Sequence, residues 1–347
     1  MHKMKDFRVL TRDFRFWLSR KTGFPLVAPD TIQVSLTNLC NLKCKMCSVW
    51  SNYDQREELS LAELLEVVDQ AAEWGIPEIN LCGGEPLLSD KCFTVIEHSK
   101  KKGLKVILTT NGTVIDGDTS AALVRSGVDI VCISLDGATA AVHDSIRGIP
   151  GTYAKIISGI ESLHAVKDSG RPVTVLIFTL HNENLDEAVE YVRTAKQLRV
   201  DAVYLTSLVS DNIRLYSRRE DNPLWITGGR LDRLDRVIDT LQGMQKEYYR
   251  FDYPSFALIK KYFRGGVREK DWICFAGFRR FVVCPDGNIQ MCGEIIGNFR
   301  KCADIKKIWN SRPARKKREL IKRCRNFCLQ DCHARRESAC LRQVFFG

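Results

Sequence analysis

The feature that most restricts this chain is an alternation that starts at residue 31. Short runs rich in β-branched residues take turns with stretches of helical period. The β-rich runs are TIQVSL (31–36), EINLC (78–82), KVILTT (105–110), IVCISL (130–135), VTVLIFT (173–179) and AVYLT (202–206). Helical patterns lie near 60–74, 90–102, 118–126, 152–167 and 184–197. Parallel neighbours need a crossover long enough to hold a helix, so strands spaced this way build a parallel sheet. Such crossovers are right-handed. The chain is therefore expected to be α/β, as an open doubly wound sheet or a partial barrel. Both architectures gather ligands at the C-terminal ends of the strands.

Those ends carry the unusual residues. Cys40-Asn41-Leu42-Lys43-Cys44-Lys45-Met46-Cys47 follows the first run, and Gly83-Gly84-Glu85-Pro86 follows the second. Asn111-Gly112 follows the third, and Ser134-Leu135-Asp136-Gly137 ends the fourth. Four successive strand tips with special chemistry point to one mouth, which stability alone does not require.

The cysteines divide the chain's chemistry into two sets. Of fourteen, three stand at 40, 44 and 47, and eight follow residue 270. Cys82, Cys92 and Cys132 lie in apolar or helical settings and read as small buried hydrophobes. The N-terminal stretch MHKMKDFRVLTRDFRFW lacks an apolar signal core, and no apolar run is long enough to cross a membrane. A cytoplasmic protein is expected, so clustered thiols suggest zinc or iron–sulfur centres rather than disulfides. Three thiolates on one loop suit three irons of a [4Fe–4S] cube, leaving the fourth iron open to a ligand. Zinc is the plainer alternative, but it usually takes four ligands in structural sites.

CxxxCxxC after the first strand, followed in order by GGEP, the NG turn and SLDG, resembles the radical S-adenosylmethionine (radical SAM) enzymes. The resemblance covers about residues 31–206. It implies a partial (β/α)6 TIM-like barrel and a SAM-binding [4Fe–4S] cluster on Cys40, Cys44 and Cys47. It also implies reductive cleavage of SAM to a 5′-deoxyadenosyl radical, which abstracts hydrogen from a substrate. An electron donor such as flavodoxin or ferredoxin is implied as partner, and oxygen sensitivity follows from the open cluster. Under this reading Gly83 and Gly84 let the backbone approach the ligand, Glu85 accepts from the methionine ammonium, and Pro86 fixes the turn. Asn111 belongs to the same set of strand-tip contacts. Ser134 and Asp136 face ribose hydroxyls or the methionine end, and Arg147 in HDSIRG matches a position that meets the methionine carboxylate. Met46 replaces a residue that is often aromatic in the family and would pack on adenine.

The second set reads Cys274-x12-Gly287-x4-Cys292, then Cys324, Cys328, Cys332 and Cys340. Its opening resembles the SPASM extension of radical SAM enzymes, as do Ile305–Asn310 and the basic helix that follows. The later cysteine block matches only in its last half. The resemblance implies one or two auxiliary [4Fe–4S] clusters, with Cys274, Cys292 and Cys332 in a first and Cys324, Cys328 and Cys340 in a second. Cys284 and Cys302 are either further ligands or bystanders. A structural zinc ribbon is the competing reading. An auxiliary cluster with an open iron would bind substrate, and a fully ligated one would accept an electron.

The expected domains are a basic amphipathic helix in 1–30, the barrel in 31–230, a helical linker in 231–270 and a small cysteine-rich domain in 271–347. Residues 207–230 read as an insertion or lid, and a helix is expected over 231–248. In the N-terminal helix Phe7, Leu10, Phe14, Trp17 and Leu18 form the apolar stripe. It packs on the body of the protein or lies on a membrane surface. Net charge is +11, with Arg315-Lys316-Lys317-Arg318 in the tail. That favours an anionic small molecule, sugar or lipid precursor as substrate, with a peptide as the alternative. A reading of another class is a non-catalytic iron–sulfur or zinc protein that binds nucleic acid, although no recognition motif accompanies the charge.

Overall fold

The structure is a computed structural model that describes residues 2–52, 57–167, 170–209, 219–244 and 256–329. Its elements run α1 (His2–Thr22), β1 (Thr31–Ser35), α2 (Leu61–Glu73), β2 (Glu78–Cys82), α3 (Cys92–Lys101), β3 (Lys105–Thr110), α4 (Gly117–Ser126), β4 (Ile130–Ser134), α5 (Ala140–Arg147), α6 (Thr152–Val166), β5 (Val173–Leu180), α7 (Ala188–Gln197), β6 (Ala202–Ser207), α8 (Arg230–Met244) and α9 (Phe256–Phe263). The C-terminal part adds β7 (Arg280–Val283), β8 (Asn288–Met291), β9 (Glu294–Asn298), α10 (Ile305–Trp309) and α11 (Arg312–Lys322). All six expected strands and the five helices between them are present. Residues 245–248 of the expected helix, residues 210–218 of the expected lid, and Cys332 and Cys340 lie outside the described residues.

The sheet has nine strands in the order β6-β5-β4-β3-β2-β1-β7-β8-β9. Strands β6 through β7 pair in parallel, and β7, β8 and β9 pair antiparallel. The arc is an α/β partial barrel. It does not stop where the cysteine-rich part begins, because β7 is hydrogen-bonded to β1. The four- and five-residue strands β7 to β9 were not among the expected elements.

Local chemistry fixes the helix ends. Ser60 and Glu63 form a capping box at α2, with Ser60 Oγ accepting from Glu63 N–H and Glu63 returning to Ser60 N–H. Asp116 caps α4 through Thr119 N–H, and Gly127 ends it in the left-handed region. The short helix α5, absent from the sequence reading, is capped by Thr139 and stopped by Gly148 at φ 77°.

The strands have two faces. Ile32, Val34, Ile79, Leu81, Val106, Leu108, Val131 and Ile133 are buried in one core with the apolar faces of the helices. Each is worth about 1.5–3 kcal/mol of burial. The alternate residues, among them Gln33, Ser35, Asn80, Thr109, Cys132, Ser134, Thr179 and Tyr204, line the opposite face, the bore of the barrel.

Helix α1 packs by a different face from the expected one. Phe16 is buried with Phe275 and Phe278, and Arg279 stacks on its ring while pairing with Asp13 and Asp30. Arg20 Nε donates to the Cys274 carbonyl at 2.8 Å. Phe14 of the expected stripe is 44% exposed, Trp17 and Leu18 are half-buried, and the side chains of Phe7 and Leu10 lie outside what the structure describes. The stripe was drawn from hydrophobicity alone, whereas the docked face is Asp13, Phe16 and Ser19, whose polar members find partners.

Candidate active site

The loop after β1 and the turn after β2 are built against each other. Gly84 N–H donates to Thr37 O at 2.8 Å and Glu85 N–H to Leu39 O at 2.7 Å. A Cβ on Gly83 would stand 2.4 Å from Thr37 O, and one on Gly84 would stand 2.1 Å from Leu39 O. These glycines were expected to admit a ligand. What approaches them is the chain's own cysteine-bearing loop, which any side chain at 83 or 84 would push away.

The carboxylate of Glu85 also differs from expectation. It is fully buried and takes three internal donors: Thr110 Oγ1 at 2.7 Å, Asn111 N–H at 2.7 Å and Leu87 N–H at 3.0 Å. Burial pushes its pKa up, while the Asn111 N–H and the Thr110 hydroxyl pull it back. Glu85 therefore ties the tip of β3 to the turn after β2, and its oxygens are committed before any ammonium arrives. Pro86 is buried at the first position of a 3-10 turn. Asn111 bridges onward, its Nδ2 donating to Asn41 Oδ1 at 2.8 Å and approaching Cys40 Sγ at 3.9 Å.

On the other side the loop is fastened to the end of α5. Lys43 N–H donates to Arg147 O at 3.1 Å and Lys45 N–H to Ile146 O at 2.9 Å. Arg147 Nη1 donates to Cys44 Sγ at 3.6 Å, and Nη2 lies 2.5 Å from Asp136 Oδ2. Asp136 is fully buried, with its Oδ1 accepting Thr179 N–H at 2.7 Å. Burial raises the Asp136 pKa, and the Arg147 charge opposes that rise. Burial also works against the Arg147 charge, but Asp136 first and Cys44 next outweigh it and raise its pKa. Asp136 was expected at ribose hydroxyls or the methionine end and Arg147 at the methionine carboxylate; among the described residues the two pair with each other, and Arg147 also reaches the cysteine loop. Ser134 remains on the bore face, half-buried, and Met46 is half-buried against the core.

Cys44 is buried, and Cys40 and Cys47 are half-buried. Burial pushes the Cys40 thiol up, and the nearby Cys44, Glu85 and Cys47 add to it. Burial likewise raises Cys44, against the Arg147 charge. The three sulfurs thus share one electrostatic neighbourhood. Among the described residues no three Cys, His, Asp or Glu side chains converge as a single metal ion requires. Three thiols on one loop, with N–H donors beside two of them, are a donor set that fits an iron–sulfur cluster.

Residues 34–195 match the family model of the radical SAM superfamily. Over that segment the chain carries a radical SAM domain. It is 34% identical over 183 residues to an AdoMet-dependent heme synthase of Methanosarcina barkeri, covering 52% of this chain and 51% of that one. It is 27% identical over 297 residues to the PqqA peptide cyclase of Gluconobacter oxydans, covering 82% and 77%. The chain spans about half the length of the curated heme-forming relatives it matches. Streptococcus suis SuiB bound to the precursor peptide SuiA shares the fold, with TM-score 0.67 and 14% identity over 89% of this chain and 71% of that one.

The fifth strand tip of this radical SAM barrel was missed in sequence. His181-Asn182-Glu183-Asn184 follows β5, and it is as polar as the four tips noticed earlier. Asn184 Nδ2 donates to Asp136 O and Thr179 O, while Glu183 accepts from Lys45 Nζ at 2.8 Å. His143 and His181 are fully buried, and burial lowers both pKa values to about 3. An unfolded chain would protonate both near 6.5, so acid below that value favours unfolding. The cost is up to about 1.4 kcal/mol per pH unit per histidine. The raised pKa values of Glu85 and Asp136 act in the opposite sense. Both imidazoles are expected to stay neutral at pH 5 in carbon-detected NMR. Titration of either near 6.5 in the folded protein would contradict this.

The later cysteines sort themselves by neighbourhood. Cys274 is pushed up to about 12 by burial and then by Cys328, Cys292 and Cys324. Cys274 Sγ accepts Ala276 N–H at 3.4 Å and Cys324 Sγ accepts Asn326 N–H at 3.3 Å. Cys284 stands apart, its sulfur influenced by Asp286 and Cys82. Cys302 is half-buried against the core. The expected grouping set Cys274 and Cys292 apart from Cys324 and Cys328, yet Cys292, Cys324 and Cys328 all act electrostatically on Cys274.

Proposed function

We propose that this chain holds a [4Fe–4S] cluster on Cys40, Cys44 and Cys47 and uses it to generate a radical from SAM. When bound, that cluster supplies the electron that cleaves SAM to methionine and a 5′-deoxyadenosyl radical. The observation that carries the reading is the loop itself. Three thiols stand on one segment pinned between the β2 turn and the end of α5, with Asn111 and Arg147 donors beside two sulfurs. Such donors stabilise thiolates without neutralising them.

The chain's own residues prepare the site. Glu85, Thr110 and Asn111 lock two strand tips together. The Asp136–Arg147 pair holds α5, and α5 holds the loop. With Glu85 committed, the Gly83 and Gly84 main chain is left to receive an ammonium. Ser134 on the bore face is left for a ribose hydroxyl. A one-electron donor of the flavodoxin or ferredoxin class completes the reaction. The protein reconstituted with iron and sulfide without oxygen should form 5′-deoxyadenosine from SAM and dithionite. Iron-loaded protein that forms none would defeat the reading.

The auxiliary centre is assigned to Cys274, Cys292, Cys324 and Cys328, a four-thiol set that suits a fully ligated cluster in an electron-transfer role. Cys274→Ala is expected to lower bound iron by roughly half, two clusters becoming one. Iron that stays at the wild-type level would remove Cys274 from the set. The basic exposed face of α11, with Arg312, Arg315 and Lys316, supports an anionic small-molecule substrate. The match to a PqqA peptide cyclase over 82% of the chain favours a peptide as the second reading. No helix among the described residues is long and apolar enough to cross a membrane.

A further inference from the structure

The bore holds thiols that radical formation does not use. Strand β1 pairs in parallel with β2 on one side and β7 on the other. Ser35 stands opposite Cys82, and Val34 stands opposite Val283. One step further along, Cys284 follows Val283. Cys284, Ser35 and Cys82 therefore occupy one row at the mouth end of three adjacent strands.

Side-chain contacts agree with that row. Gln33 Nε2 donates to Cys82 Sγ at 2.8 Å, and Ser35 Oγ lies 3.6 Å from the same sulfur. Along β7 the burial alternates, with Phe281 and Val283 buried and Val282 and Cys284 half-buried. Cys284 thus lies on the face that Gln33 and Ser35 share. Burial first, then Asp286 and Cys82, push the Cys284 thiol up to about 12, so it keeps its hydrogen at neutral pH. Cys82 was expected to be a small apolar filler, yet its sulfur is ringed by an amide and a hydroxyl.

The two thiols differ in access. Cys82 is 9% exposed and its sulfur is already engaged. Cys284 is half-buried, and no described residue makes a hydrogen bond to its sulfur. Two strand spacings, about 9.6 Å, separate their backbones, beyond the ~7 Å at which a disulfide can form. The pair therefore stays reduced without rearrangement.

We propose that Cys284 is a hydrogen-atom donor to a carbon radical in the bore, a role that rests on the radical-forming reading above. The carbon gains a C–H bond, the S–H bond breaks, and the sulfur is left with the unpaired electron. One electron from a low-potential donor of the ferredoxin class and one proton from solvent restore the thiol. Removal of a hydrogen atom by one radical and its return from Cys284 leave the substrate at its original oxidation level. The outcome is epimerisation or rearrangement.

The test needs no substrate. The reconstituted full chain is given SAM and dithionite in deuterium oxide, where S–H exchanges to S–D, and the 5′-deoxyadenosine is weighed. Wild-type product is expected to carry deuterium. In Cys284→Ser, which keeps the volume but offers only a stronger O–H bond, the deuterated fraction should fall several-fold with total 5′-deoxyadenosine retained. Cys82→Ala and Cys132→Ala should label like wild type. Unchanged labelling in Cys284→Ser, or a loss confined to Cys82→Ala, overturns the assignment. Absence of 5′-deoxyadenosine from every protein would overturn the radical-forming reading itself, and this inference with it.

Discussion

Cys44→Ala is expected to reduce 5′-deoxyadenosine formation to background while leaving the barrel folded. The change removes one small buried side chain, which costs about 1 kcal/mol of stability. The loop's attachments are made by other atoms: Lys43 and Lys45 N–H to the end of α5, and Trp50 Nε1 to the Cys44 carbonyl at 3.2 Å. What disappears is a sulfur with no substitute nearby. Among the described cysteines, Cys92 lies inside α3 and Cys82 faces Gln33 in the bore. Arg147 also loses the sulfur on its Nη1. Product would be measured by chromatography beside total iron, and Cys40→Ala and Cys47→Ala should behave alike. Substantial product from iron-loaded Cys44→Ala would mean that a different set of residues binds the cluster, and the proposed site would have to be abandoned.

The barrel was legible because its signal is periodic. Residues 105–110 and 173–179 alternate between two faces, and the alternation is what buries Val106 and Leu108 while leaving Ile107 and Thr109 in the bore. The location of the site was legible for a topological reason, since strand tips in such sheets meet at one mouth. The roles of individual residues were much less so. A glycine motif states that space is tight without stating what fills it, and at Gly83 and Gly84 the filler is Thr37 and Leu39 backbone. A carboxylate in a motif invites an external partner, yet Glu85 and Asp136 find theirs inside the chain, 25 and 43 residues away in Thr110 and Thr179. Sequence distance hides such pairs. The grouping of Cys274 with Cys324 and Cys328 was hidden in the same way, because β7 to β9 and α11 fold the chain back on itself between them.

Arg147→Met is expected to cost about 3–5 kcal/mol, because it strips a buried carboxylate of the opposite charge paired with it among the described residues. Asp136 is fully buried and its other oxygen holds Thr179 N–H, so the carboxylate cannot swing toward water without unmaking the tip of β5. A loss of that size is a large share of a typical domain's 5–15 kcal/mol. The backbone bonds from Lys43 and Lys45 do not involve the guanidinium, so the cost should enter through charge and not through the loop's tether. That difference can be measured. In denaturant titrations, Asp136→Asn combined with Arg147→Met should recover most of the stability lost by Arg147→Met alone, since no unpaired charge remains. If Arg147 is held in reserve for a ligand's carboxylate, the pattern reverses. Arg147→Met would then unfold at nearly the wild-type midpoint and show only weakened SAM binding, with nothing for the second substitution to rescue. The 2.5 Å approach of Nη2 to Asp136, with both residues out of solvent, makes the first pattern the expected one.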